Sequence, residues 1–332
     1  MDCFSIGCLC IDTVVDRDGV TTERSFGGNA SYAAAGMRLW TDDRIGIVAR
    51  AGKDFSEEWI DSLKKAGFDT GGIRRLPTKH LMLSLLTYDE NGERTDINTV
   101  TPEMIRQAEK DLEGIIEKDI YLTGEDVYAP TKADIPKNYR GALGITLCAR
   151  KYERQMGYLD WIEEYAPYSK VVLDVSPRYM HPEYADKLPG LFKRADVVAP
   201  SLIEARSLFG ENAEPEECLK GLIELGAQNA VVKLGAKGSC FMQSSDMIPH
   251  FVPAYTVVDA RDPTGAGDSF CGGMTVGLLK TGGDILLAVM YGTVSASFVV
   301  SEYGVDGTFK YTIEDAEARL MEFKDRYMHA EL

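Results

Sequence analysis

Short apolar runs alternate with amphipathic segments along most of the chain. The apolar runs predict strands at residues 3–10, 44–49, 81–88, 170–175, 195–199 and 230–234. The segments between them predict helices at residues 31–40, 55–66 and 201–209, and from about residues 266 and 284. Because most of these strands are apolar on both faces and alternate with helices, we expect a parallel sheet covered on both sides.

Two stretches interrupt this alternation with additional extended segments. Residues 13–26 and 81–97 carry strand-like sequence outside the repeating strand–helix units, and a small β lid over a site is the structure we expect from them. No repeat or Pro/Ser-rich linker divides the chain, so we expect a single domain over residues 1–332. Residues 140–158 are longer and more polar than the alternation requires, and the sequence does not explain them.

Composition excludes several classes of partner. The 332 residues include 36 basic and 52 acidic ones, which give a formal net charge of −16. Nucleic acids and anionic membranes require basic surfaces, so neither is an expected partner. A small phosphate ligand is still allowed, because one loop can bind an anion within an acidic protein. No apolar run approaches the roughly 18 residues of a membrane span.

The cysteines and the first residues indicate the compartment. Seven cysteines with no C-x-x-C pair suggest free thiols in a reducing environment. A metal site at Cys8 and Cys10 is disfavoured, because no matching Cys/His pair occurs elsewhere. The first residues lack a basic n-region and read as a strand rather than a signal peptide. We therefore expect a cytoplasmic protein.

A glycine turn between two acids is the strongest chemical signal. In D-P-T-G-A-G-D-S-F, Gly265, Ala266 and Gly267 precede a helix, and Asp268 lies in its first turn. Amides at a helix N-terminus favour an anion, whereas a carboxylate repels one. Asp268 therefore suits a general base that takes a proton from a hydroxyl attacking phosphorus. From G-A-G-D alone, a tight turn with a helix-capping acid explains the pattern equally well.

The longer stretch resembles the second signature of the ribokinase-like, PfkB-type carbohydrate kinases, D-T-x-G-A-G-D, with Pro263 in place of Thr. Other markers follow in the family's order over nearly the whole chain: Asp12, F-G-G-N at 26–29, A-G-K-D-F at 51–55, S-L-I-E at 201–204 and V-V-K-L-G-A-K-G at 231–238. The resemblance implies a ribokinase-like three-layer α/β fold, with a mostly parallel central sheet, helices on both faces and a small β lid.

The resemblance also implies an activity and a site. It implies an ATP- and Mg²⁺-dependent kinase that phosphorylates a small sugar-like acceptor on a primary hydroxyl. The catalytic residues are expected to be Asp268 as base and the amides of Gly265, Ala266 and Gly267 as anion hole. The acceptor residues are expected to be Asp12, Gly28, Asn29 and Tyr32. The nucleotide residues are expected to be Lys233, Gly235, Gly238 and Thr264. Glu204 would hold Mg²⁺ through water, and Asp262 and Gly304 would belong to a K⁺ site.

Two departures from the family pattern leave alternatives open. Tyr32 stands where the family has an asparagine, and it could either stack on a ligand ring or pack in the core. Ser201 replaces the asparagine of N-x-x-E near the expected metal. Without the resemblance, Asn29 reads as a helix cap and Glu204 as a solvated acid.

Two other functions also fit the sequence. One is a nucleoside kinase of the same family, in which Tyr32 stacks on a base. The other is a sugar-binding regulator that kept the fold but lost catalysis, although binding alone does not require a base such as Asp268.

Pairing of lid strands between subunits would produce a homodimer. Neither a P-loop nor a G-x-G-x-x-G motif is present, so nucleotide binding of the Walker or Rossmann type is not expected.

Overall fold

The computed structural model describes residues 2–15, 19, 21, 25–88, 94–98, 100–112 and 128–330. The strands are β1 (Cys3–Ile6), β2 (Cys10–Val15), β3 (Ser25–Gly27), β4 (Ile45–Ala51), β5 (Phe68–Asp69), β6 (Ile73–Arg75), β7 (Leu83–Tyr88), β8 (Arg94–Asn98), β9 (Gly144–Leu147), β10 (Lys170–Leu173), β11 (Val197–Val198), β12 (Asn229–Lys233), β13 (Gly238–Gln243) and β14 (His250–Pro253). The helices are α1 (Asn29–Arg38), α2 (Glu57–Lys65), α3 (Pro102–Asp111), α4 (Tyr152–Tyr165), α5 (Leu188–Phe192), α6 (Leu202–Phe209), α7 (Pro215–Glu224), α8 (Ala266–Lys280), α9 (Ile285–Val299) and α10 (Ile313–Ala330). None of the helices in these ranges is long and apolar enough to cross a membrane.

The larger sheet has the order β14-β13-β12-β11-β10-β9-β1-β4-β5, with β6 also paired to β4. Its strands are parallel from β12 to β5, whereas β13 and β14 add antiparallel pairs at one edge. Neighbouring residues of β10 show why helices cover both faces: Val172 belongs to one apolar core, and Val171 and Leu173 belong to the other. The predicted α/β class with a mostly parallel sheet is confirmed.

A second, four-stranded sheet has the order β3-β2-β7-β8. Its strands come from the regions around 13–26 and 81–97, although residues 16–18, 20, 22–24 and 89–93 lie outside the described residues. The prediction of one strand over 3–10 was wrong, because β1 ends at Ile6 and β2 begins at Cys10 in this second sheet. Apolar residues continue through the crossover, so hydrophobicity alone does not reveal the change of sheet. We call this four-stranded element the small sheet.

Residues 140–158, which the sequence left unexplained, contain β9 and the start of α4. β9 lies in the middle of the larger sheet, between β1 and β10. Its four residues are too few to show a reliable period. The polar residues that follow it lie at the carboxyl edge of the sheet, where α/β proteins bind ligands.

A buried ion pair joins β4 to the 3₁₀ turn at Lys132–Asp134. Arg50 Nη2 lies 2.7 Å from Asp134 Oδ2, and the two side chains are 2% and 1% exposed. Asp134 also accepts hydrogen bonds from the Thr131 amide and from Arg74. Burial raises the pKa of Asp134, but Arg50 and the other two donors outweigh burial and hold that pKa below its usual value.

We expect Asp134→Asn to lower the free energy of unfolding by about 3 kcal/mol, because the buried guanidinium of Arg50 would lose its ion pair with Asp134. Urea denaturation measures this change. Since the folded-state pKa of Asp134 is depressed, its contribution is complete well above the unfolded-state pKa of about 4, and it is lost as pH falls through the folded value. The exposed pair of Asp61 and Lys64 supplies the control: Asp61→Asn should cost under about 1 kcal/mol. Equal losses in the two variants would contradict this account.

Candidate active site

The glycine turn at residues 265–267 lies at the start of α8. Gly265 is the helix N-cap and has the left-handed φ of 77° that glycine adopts easily. The Ala266 amide donates to the Pro263 carbonyl at 3.1 Å, which differs from its predicted place in the anion hole. The amides of Gly265 and Gly267 make no hydrogen bond to any described residue. The open anion site therefore consists of two glycine amides at a helix N-terminus.

Three charged side chains meet beside this turn. Lys233, the last residue of β12, places Nζ 2.6 Å from Asp174 Oδ1. A Cβ built on Gly267 would lie 3.5 Å from the same Nζ, so the ammonium lies directly against the turn. The Asp268 carboxylate lies within hydrogen-bonding reach of Asp174. The predicted base, the anion site and the predicted nucleotide lysine are thus brought together.

The sequence analysis did not identify Asp174, which follows β10 directly. Burial raises the pKa of its carboxyl to about 6; Lys233 opposes this shift, and Asp268 adds to it. Burial lowers the pKa of Lys233, but Asp174, Cys271 and Glu204 outweigh burial and raise it. The lysine therefore stays charged at neutral pH. The sequence signal that could have identified Asp174 is an acidic residue within the apolar run K-V-V-L-D-V.

Glu204 lies near Lys233, and its carboxylate caps a helix. Its Oε2 accepts hydrogen bonds from the Ser201 amide at 2.7 Å and from the Ser201 hydroxyl at 2.8 Å, which forms a capping box at the start of α6. Ser201 is therefore an effective N-cap in place of the family's asparagine. Burial raises the pKa of Glu204, Lys233 opposes this, and Asp174 adds to it.

The residues near Lys233 fit a water-mediated Mg²⁺ ion rather than a directly bound one. In the described ranges, no group of three or more His, Cys, Asp or Glu side chains could hold a metal by itself. Glu204 Oε1 has no hydrogen-bond partner in that part of the chain, so it is available to a metal-bound water. Mg²⁺ usually keeps several waters beside one or two carboxylates and substrate phosphates, and this arrangement suits such an ion.

The predicted acceptor residues lie where the small sheet meets α1. Asp12 is 4% exposed in β2 and packs against Gly27: a Cβ on that glycine would be 2.1 Å from Asp12 Oδ2. Gly28 is the N-cap of α1, with a φ of 98°, and a Cβ there would lie 2.4 Å from the Cys8 carbonyl oxygen. A side chain at residue 28 would therefore clash with the backbone of the crossover to the small sheet.

Asn29 connects three segments of chain. Its Oδ1 accepts hydrogen bonds from the Cys8 amide at 2.9 Å and from Arg150 Nη2 at 3.1 Å, and its Nδ2 donates to the Ala149 carbonyl at 3.3 Å. It is the first residue of α1, so Gly28 rather than Asn29 is the cap. The amide of Asn29 holds the carboxyl ends of β1 and β9 together at the acceptor side of the site.

Tyr32 packs beneath the site and is 2% exposed. Its ring lies against the glycine turn, because a Cβ on Gly265 would be 2.2 Å from a ring carbon. Burial raises the pKa of its hydroxyl, as do the carboxylates of Asp12, Asp262, Asp268 and Asp306. Tyr32 therefore packs in the core, which was one of its two alternatives from the sequence. The face of its ring is not available for stacking on a ligand.

The remaining predicted residues lie in turns around the same edge. Gly235 and Gly238 flank the turn between β12 and β13, directly after Lys233. The Thr264 amide donates to Asp262 Oδ1 at 2.9 Å, which shapes the approach to the glycine turn. The Arg261 amide donates to the Val300 carbonyl at 2.7 Å, so the loop of Asp262 lies beside the end of α9. Val300 precedes Gly304 by four residues.

A carboxylate beside an open helix N-terminus, at the carboxyl edge of a doubly covered parallel sheet, is an arrangement that suits an α/β phosphotransferase. The sequence matches the pfkB family carbohydrate kinases over residues 2–310, and the chain belongs to that family. It is an ATP-dependent kinase, and the family uses ATP with a metal ion.

Three relatives illustrate the range of this similarity. Cytidine kinase from Thermococcus kodakarensis is 25% identical over 309 residues, which cover 92% of this chain and 98% of that protein. A putative ribokinase II from E. coli, in complex with ATP and Mg²⁺, aligns with a TM-score of 0.69 at 18% identity, over 97% of this chain and 99% of that one. A double mutant of fructokinase from Vibrio cholerae O395, with fructose, ADP and potassium bound, aligns with a TM-score of 0.70 at 20% identity. The alignment covers 96% of this chain and 98% of that one.

Proposed function

We propose that Asp268 removes the proton from an acceptor hydroxyl while the amides of Gly265 and Gly267 stabilise charge on the transferred phosphoryl group. The observation that carries this proposal is the position of Asp268 in the first turn of α8, beside two open amides and next to Gly267, against which the Lys233 ammonium lies. A carboxylate in that place weakens static anion binding but favours proton removal. This reasoning favours catalysis over a regulator that only binds sugar.

The acceptor would be a small sugar or sugar-like molecule with a primary hydroxyl. Asp12 would supply a carboxylate for its hydroxyls, and Gly28 would allow α1 to lie close against the backbone of Cys8 beside them. The small sheet, with segments 13–26 and 81–97 of a single domain, would act as the lid. Tyr32 would contribute by supporting Gly265 from below. A nucleoside acceptor is less well supported, because the buried ring of Tyr32 offers no stacking face.

The nucleotide would lie on the opposite side of the glycine turn. Lys233 faces its phosphates, and the turn that follows would line the remainder of the site with Gly235, Gly238 and Thr264. Glu204 would hold Mg²⁺ through water, and the ion would neutralise charge on the phosphates. The loops of Asp262 and Gly304 would supply carbonyl oxygens for K⁺.

Two further features of the protein belong to this proposal. Pairing of small-sheet strands between two copies would form a homodimer. All seven cysteines lie in the described residues and are free thiols, which supports a cytoplasmic location.

An acceptor panel tests the proposed function. Purified protein with ATP and Mg²⁺ should release ADP with at least one of the sugars, sugar acids, sugar phosphates, polyols or nucleosides supplied singly. Mass spectrometry of the product should show one added phosphate on a primary hydroxyl. A reaction without acceptor corrects for ATP hydrolysis. Tight sugar binding by calorimetry without ADP release would instead favour the non-catalytic regulator.

A further inference from the structure

Arg150 is a buried arginine at the carboxyl end of β9, beside the proposed acceptor site. It is 7% exposed, and its one hydrogen bond to the residues that the structure describes runs from Nη2 to Asn29 Oδ1. Nε is fully buried without a partner, and Nη1 also makes no hydrogen bond within the described ranges. No carboxylate in those ranges forms an ion pair with this guanidinium. Most of its five N–H donors are therefore unused.

The groups around this guanidinium do not compensate its charge. Cys8, Cys10, Cys148 and Tyr158 surround it. The hydrogen bond to Cys8 and burial raise the pKa of Cys10, and burial raises those of Cys148 and Tyr158. The raised pKa values keep Cys10, Cys148 and Tyr158 neutral at physiological pH. A buried charge without a counter-ion is costly to keep, so an arginine maintained in this state suggests a ligand that supplies the missing charge.

Arg150 also lies within the same small region as the proposed chemistry. Cys10 is influenced by Asp12 and by Arg150, and Cys148 is influenced by Asp268 and by Arg150. The guanidinium is therefore close to both the acceptor carboxylate and the base. Nη1 is not fully enclosed, unlike Nε.

We propose that Arg150 binds an anionic group of the acceptor, a carboxylate or a phosphate ester, and so selects acidic sugar derivatives over neutral ones. This inference rests on the proposed function, since it concerns the acceptor of that reaction. The planar guanidinium fork can donate two parallel hydrogen bonds to either anion. The hydrogen bond to Asn29 fixes the fork at the acceptor side of the site.

Matched acceptors test this proposal directly. We would measure kcat/KM for a neutral hexose, its sugar acid and its 6-phosphate ester, with wild type, Arg150→Met and Arg150→Lys. The wild type should prefer one acidic acceptor, and the preferred one distinguishes carboxylate from phosphate. Arg150→Met should lower kcat/KM for that acceptor about 100-fold, and the ratio of acidic to neutral kcat/KM should fall with it. Arg150→Lys, which keeps the charge but loses the fork, should be intermediate.

Arg38→Met is the matched control for general loss of structure. Arg38 lies at the other end of α1, has a buried Nε without a hydrogen bond, and donates to the carbonyls of Thr41 and Gly67. Its removal should lower the melting temperature without changing the ratio of acidic to neutral kcat/KM. Equal losses of the acidic and neutral reactions in Arg150→Met would show that Arg150 only supports Asn29, and the proposal would be overturned.

Calorimetric titration separates this proposal from the proposed function. If no acceptor is phosphorylated but the wild type binds the sugar acid or phosphate ester and Arg150→Met does not, the anion site stands and the proposed reaction fails. If neutral sugars are phosphorylated as well as acidic ones, the reaction stands and the anion site fails. Absence of both turnover and Arg150-dependent binding overturns both.

Discussion

Asp268→Asn should lower kcat for the accepted sugar by about 10²–10⁴-fold while the Kd of the acceptor changes little. The substitution keeps the size and hydrogen-bonding oxygen of the side chain but removes its ability to take a proton. The proposed role of Asp268 as the base rests on its position in the first turn of α8, against Asp174 and beside the open glycine amides. Steady-state ADP release and calorimetric titration of the acceptor measure the two quantities.

Asp284→Asn is the matched control. Asp284 is the N-cap of α9, and its Oδ1 accepts a hydrogen bond from the Leu287 amide at 2.9 Å. An asparagine caps a helix about as well as an aspartate, so kcat should be unchanged. A similar loss in the two variants would mean that helix stability, and not proton transfer, explains the result for Asp268.

Gly265→Ala should lower kcat by about 10²–10³-fold, the typical effect of losing one donor that stabilises the transition state. A Cβ at this residue would lie 2.2 Å from the ring of Tyr32, and the left-handed φ of 77° is strained for alanine. Either the turn or the ring must move, and the amides of Gly265 and Gly267 then leave their present positions. ADP release with saturating ATP and acceptor measures the loss.

Gly282→Ala is the control that separates backbone strain from the clash with Tyr32. Gly282 has a similar φ of 68°, but a Cβ there would meet nothing within 4 Å. It should cost about 1 kcal/mol of stability and leave kcat unchanged, because strain alone acts there. If Gly282→Ala lost activity to the same extent, displacement of the glycine turn against Tyr32 would not be the cause.

Local sequence patterns predicted the sheet and the glycine turn well, because both depend on residues close together in the chain. Alternating apolar runs predicted β4, β10, β11 and β12 of the parallel sheet, and D-P-T-G-A-G-D predicted the start of α8. The resemblance then supplied an order for distant motifs that propensity alone could not connect. The roles of the individual site residues remain predictions until variants are measured.

The features that the sequence did not reveal are contacts between distant segments. Asp174 and Lys233 are in contact although they are 59 positions apart in the sequence, and Arg150 and Asn29 are in contact although they are 121 positions apart. β9 was missed because four residues, G-I-T-L, carry too short a pattern. The change of sheet after Ile6 was missed because apolar residues continue through the crossover. Within it, the Cys8 amide donates to the side chain of Asn29, which is distant in sequence. Such contacts depend on tertiary packing rather than on local propensity.

Rapid-quench measurement of one turnover tests the central claim most directly, that Asp268 acts in the phosphoryl-transfer step. Wild type and Asp268→Asn would be mixed with saturating acceptor and a limiting amount of labelled ATP. The account predicts that the rate of labelled product formation on the enzyme falls by at least about 100-fold in the variant. An unchanged rate of product formation, with only slower product release, would contradict the assignment of Asp268 as the base.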